Sequence, residues 1–215
     1  MRLRPLLVTA VVVALAAGLL AQFIRSVRQT RAEPYTTRAS ARGGWQVSVT
    51  VGETPTAPVL VARAPEGFAG GLFRQVFARG MESLGAPGEA RLPLLLRQEF
   101  DRAFAAHTTI DTLLAAAHLA VDGTTFEPWC MGVRRVSEPG LTRQVYFVVF
   151  DSPGFDTFRQ HLTTLAAPPA VGSATFEPGA LSPVVIIAAA PPTFDTWFPL
   201  RVDREQDCVA PIRVQ

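Results

Sequence analysis

The chain has 215 residues, with 20 basic and 18 acidic side chains and a formal charge of +2. Hydrophobic residues make up 48% and charged residues 18%, which excludes a fully disordered chain and is ample for one domain core. All the basic residues are arginine, and a balance this close to neutral removes the broad electrostatic case for a nucleic-acid partner.

From Leu6 to Ile24 no residue is charged, and only Thr9 and Gln22 are polar. A helix over that run rises about 28 Å, close to the hydrocarbon thickness of a bilayer. Residues 1–31 therefore predict an N-terminal transmembrane helix with flanking arginines, an uncleaved single-pass signal-anchor that makes the membrane a partner through residues 6–24. A cleaved secretion signal is the competing reading. Its small-residue sites, at Ala14 to Ala16 and Ala16 to Gly18, both lie inside the apolar run. Arg2 and Arg4 precede the run, whereas Arg25, Arg28 and Arg31 follow it, so the charge count alone favours a cytoplasmic domain.

Residues 32–44 are small, polar and turn-prone and read as a flexible tether. Residues 45–215 then predict a single α+β domain built on an antiparallel sheet. Trp45 to Val51 alternates with period two, and Val59 to Ala62 is a second short apolar run, so the two predict a hairpin. Phe68, Leu72, Phe73, Val76, Phe77, Met81 and Leu84 share one side of a helical wheel that ends at Gly85. A further helical stretch runs from Leu92 to Val121, with Thr108, Thr109 and Asp111 as an internal break. Strands are expected over 126–136 and 144–150, joined by a turn at Ser137 to Gly140. Phe155, Phe158, Leu162 and Leu165 mark a helix begun by Pro153 and capped by Ser152 or Asp151. Val184 to Ala190 is apolar throughout and reads as a central strand; 193–215 reads as an edge segment carrying Cys208. From Val59 onward this order matches the split βαβ order of the ferredoxin-like superfold.

Cys130 and Cys208 are the only cysteines, far apart and without paired metal-ligand spacing. An even count with none left over suits a disulfide tying the tail to the body, which would place the domain outside the cytoplasm, in periplasmic fashion. Two unrelated buried thiols are the alternative, and with them a cytoplasmic domain. Trp129, beside Cys130, reads as packing or as the lining of a pocket or partner surface.

The polar constellation with the most regular geometry is His107, Asp111, His118 and Asp122, within roughly 60° of one another on a continuous helix. The two histidines would lie roughly 16 Å apart, too far to share a metal ion, and a solvated flank accounts for the stripe. Ser152 lacks the glycine two positions earlier that a nucleophile elbow requires. No catalytic, cofactor or metal motif emerges. The resulting expectation is a membrane-anchored extracytoplasmic binding or assembly module with a protein partner. The alternative is an anchored hydrolase using histidines or carboxylates of the 99–122 region.

Overall fold

The computed structural model describes residues 15, 17–22, 32–80, 83–138, 141–166, 176–192 and 201–215. The chain divides into two compact units, 1–33 and Pro34–Gln215. In the first, Leu15 and residues 17–22 are helical and exposed. Those positions extend over about 12 Å, against the ~30 Å of a bilayer core. No helix among the described residues is long and apolar enough to cross a membrane. The transmembrane helix expected over 6–24 is corrected accordingly, and the remainder of that run lies outside the described residues.

The second unit is mixed α+β. Its elements are β1 (Tyr35–Thr37), a 3-10 turn (Ala39–Arg42), β2 (Gln46–Val49), β3 (Pro58–Arg63), α1 (Phe68–Arg79), β4 (Arg91–Leu96), α2 (Arg97–Ala103) and α3 (Ile110–Val121). There follow β5 (Glu127–Glu138), β6 (Leu141–Asp151), α4 (Pro153–Leu165), β7 (Val184–Ala190), a short α5 (Arg204–Asp207) and β8 (Cys208–Val214). Two sheets form, a five-stranded one in the order β1-β8-β5-β6-β7 and a three-stranded one in the order β2-β3-β4.

One antiparallel sheet of ferredoxin-like order is therefore not what this chain builds. The segment Leu92 to Leu96, expected to open a helix, pairs antiparallel with β3 as β4, with Ala62 opposite Leu92. Five consecutive buried residues, Leu92 to Leu96, need apolar cover on both faces, which a strand inside the molecule provides and an amphipathic helix does not. The extra strand breaks the βαβ order and completes a separate sheet of β2, β3 and β4. The other departure is β1, which runs parallel to β8 with Tyr35 opposite Ile212. Residues 35–42, expected in a tether, are thus a strand and a 3-10 turn, with Tyr35 only 3% exposed.

Helix α1 packs against both β1 and β7, the two ends of the five-stranded order, so that sheet curls around it. Phe68, Leu72 and Val76 at fourfold spacing form its buried stripe, while Phe77 is left exposed and the helix stops at Arg79. Trp45, Phe126, Phe150 and Phe68 meet inside, with Trp45 stacked on Phe126 at 4.4 Å between ring centres. Helices α3 and α4 pack on each other, α3 reaching β2 and α4 reaching β4.

Two expectations about sheet position reverse. Apolar β7 lies at the end of its sheet rather than in the middle; its outer edge is closed by Gly85, which exchanges backbone hydrogen bonds of 2.9 and 3.0 Å with Ala189. The tail strand β8, expected at an edge, is interior because β1 covers it.

Candidate functional site

The four residues of the predicted polar stripe are separated by a break in the helix. Residues 104–107 form turns, and Thr109 caps α3 by accepting a hydrogen bond from the Thr112 N–H at 3.3 Å. His107 is therefore not on α3 at all. Its Nε2 donates to the Leu165 carbonyl at 2.8 Å, satisfying one of the open carbonyls at the C-terminus of α4. Asp111 sits exposed in the first turn of α3, where the helix dipole favours a negative charge. His118 and Asp122 form an exposed i,i+4 pair at 2.9 Å. Nothing brings the two pairs into one site, and among the described residues no three His, Cys, Asp or Glu side chains are placed to hold a metal ion.

Glu99, one of two carboxylates in α2, faces inward. Arg159 of α4 is 1% exposed and binds both Glu99 oxygens, at 3.0 and 2.6 Å. Its remaining donors reach the carbonyls of Leu94, Glu177 and Pro178, and its guanidinium stacks on Phe176 at 4.6 Å. Glu99 in turn accepts from the Leu96 N–H at 2.9 Å. Every donor has an acceptor, so the pair fastens α4 and the 176–178 segment to β4. The sequence carried a signal for it, since Arg159 falls four residues after Phe155 and one after Phe158, on the buried stripe of the helix.

Cys130 and Cys208 are brought to disulfide distance, with their Cα atoms 5.8 Å apart. They sit on neighbouring antiparallel strands, where Cys130 faces Pro211 and Gly132 faces Cys208. Around them opens a groove of about 540 Å³ whose floor is Pro128, Trp129, the two cysteines, Val209 and Pro211. Trp129 remains 53% exposed and Val209 41% exposed. The Arg204 guanidinium lies 5.1 Å from the Trp129 ring centre and pairs with Asp151, so one rim of the groove is a cation–π contact and an ion pair. The other rim is Glu127, held by Arg42 at 2.5 and 2.7 Å. Beneath the tail, Arg134 pairs with Asp207, which is 8% exposed and accepts the Asp203 N–H at 2.9 Å. These groups can bury an apolar side chain between polar rims; each charged member is already paired.

A second cleft, about 380 Å³, lies between β1 and the start of α1 and is lined by Thr36, Arg38, Gly67, Arg74, Gln75 and Gln215 among others. The Gln75 amide crosses it, accepting the Thr36 N–H at 2.9 Å and donating to the Thr36 carbonyl at 2.8 Å. No family model, no curated protein and no solved structure matches the chain.

Proposed function

We propose that Pro34–Gln215 is a binding or assembly module without catalysis, which docks a protein partner in the groove beside Cys130 and Cys208. The observation that carries this reading is Trp129. A large aromatic side chain left 53% exposed on an apolar floor, with an arginine stacked on it, has the make-up of an interface anchor. The partner's complementary element is an apolar side chain that buries against Trp129, Val209 and Pro211. The hydrolase alternative has less support, since Glu99 is engaged by Arg159, His107 by Leu165, and His118 pairs with Asp122 in solvent.

The same cysteines support a compartment outside the cytoplasm, because a pair poised at disulfide distance persists as a disulfide only under oxidising conditions. Thiol trapping with a maleimide reagent before and after reduction tests that part: two thiols labelled without reduction would sink it.

For the partner, a photo-crosslinking residue replaces Val209 in the full chain within expressing cells. The expected result is one adduct of defined mass, identified by mass spectrometry and lost when Trp129→Ala is added. Trp129→Ala should leave the melting curve unchanged to within about 0.5 kcal/mol, as for other surface truncations. An absent adduct, or one indifferent to Trp129→Ala, would overturn the reading.

A further inference from the structure

Every open sheet end presents backbone N–H and C=O groups that invite another strand, and proteins blunt such ends by identifiable means. Among the described residues, three of the four ends are blunted. On β1 the Gln75 amide occupies both outward groups of Thr36, as an added strand would. On β7 the outward groups of Ala189 are taken by Gly85. On β4 the outward position carries Pro93, which has no N–H. The Glu99–Arg159 pair also occupies the Leu96 N–H and the Leu94 carbonyl.

The fourth end is β2, and it is different. Thr50 donates to the Val59 carbonyl at 3.0 Å, so the even-numbered residues bond to β3, and Val47 and Val49 direct their backbone groups outward. Among the described residues nothing bonds them. The stretch from Trp45 to Val51 holds no charge, no proline and no glycine, and its β-branched residues favour pairing. Val49 is 40% exposed and Val51 96% exposed.

We infer that the outer edge of β2 is a self-association edge, on which a second copy of this chain adds its own β2 in antiparallel sense. The occupant follows from the edge itself. An uncharged strand pairs with an identical uncharged strand at no electrostatic cost. An antiparallel pairing of one edge with itself closes as a twofold dimer rather than an open filament. Centred on Val49, the register sets Val49 beside its own copy and Val47 beside Val51, so that the pairing covers the exposed Val49 and Val51. Cross-strand neighbours then stand about 5 Å apart. The inference is independent of the Trp129 groove and goes beyond it.

Sedimentation of the full chain over a range of concentrations tests this, with Val49→Lys and Val49→Thr beside the parent. Val49→Lys places like charges opposite one another and is expected to weaken dimerisation about tenfold or more, whereas Val49→Thr, still β-branched, retains it. Hydrogen exchange on the parent chain gives a second readout that needs no variant: the Val47 and Val49 amides should slow as concentration rises. A monomer at every concentration up to about 1 mM overturns the inference. So does association that is indifferent to Val49→Lys, or that leaves exchange at Val47 and Val49 unchanged.

Discussion

Arg159 joins more of the fold than any other charged side chain described above. Five hydrogen bonds to Glu99, Leu94, Glu177 and Pro178 compensate its burial, and removing one partner leaves the other charged and desolvated. Glu99→Ala is expected to cost about 3–5 kcal/mol in urea unfolding, while the double replacement Glu99→Leu with Arg159→Met costs less than Glu99→Ala alone. A double replacement as damaging as the single would mean that the pair's specific geometry, not its uncompensated charge, matters. Asp156 carries the opposite electrostatic sign. Desolvation, and then the nearby Asp151 carboxylate, push its pKa above the usual carboxylate value despite Arg204. The folded state therefore holds its proton more tightly than the unfolded chain does, and stability falls as pH rises from about 4 through the raised value. Asp156→Asn should accordingly melt slightly higher than the parent at pH 7, with the difference vanishing near pH 3. A parent that melts higher at pH 7 would show that Asp156 is stabilising as a charge at the start of α4.

At the scale of elements, edges and caps do much of the positioning. Gln75 is a helix residue serving as part of a sheet, and Gln75→Leu would keep its volume while leaving the Thr36 N–H and C=O unpaired. That substitution is expected to cost about 1–3 kcal/mol and to speed exchange at the Thr36 amide more than at amides of β5 and β6. Equal protection in the two chains would assign Gln75 to packing alone. Helix α4 is legible in its own residues: Ser152 accepts the Phe155 N–H, Pro153 opens the first turn, and Phe155, Phe158 and Leu162 are buried. Close packing explains Gly154, where a Cβ would sit 2.5 Å from the Ala120 carbonyl of α3. Strand β4 is not legible in this way, because Leu-Pro-Leu-Leu-Leu is compatible with a buried helix start until its partner β3 is known. Periodicity reports an amphipathic face, and a segment buried on all sides has none to report.

For the whole molecule, the Cys130–Cys208 pair couples the tail to the body. Strand β5 pairs with β6 along its full length but with β8 only from Cys130 to Gly132, and β1 depends on β8 in turn. A crosslink across 78 positions is worth roughly 4 kcal/mol on chain-entropy grounds. Reduction should therefore lower the stability by about that amount, and faster exchange should appear in β8 and β1 before β6. Uniform loss across all strands would show instead that β8 opens only with global unfolding.

Local patterns in the chain suffice for the mixed α+β character of residues beyond 45, the amphipathic helix at 68, the capped helix at 153 and the long hairpin of β5 and β6. Each of these is a pattern that one element's own residues carry. Cys130, Cys208 and Trp129 also stand out in the chain by residue type, whereas their convergence does not. Long-range packing settles the rest: which sheet holds each strand, that β8 is interior and β7 terminal, that Arg159 meets Glu99 across 60 positions, and that His107 leaves the helix that carries Asp111 and His118. These outcomes depend on contacts between distant segments, which cost chain entropy to close and leave no periodic trace in either segment. The same holds for the open edge of β2: its uncharged valines are visible in the sequence, but its lack of a neighbour belongs to the fold.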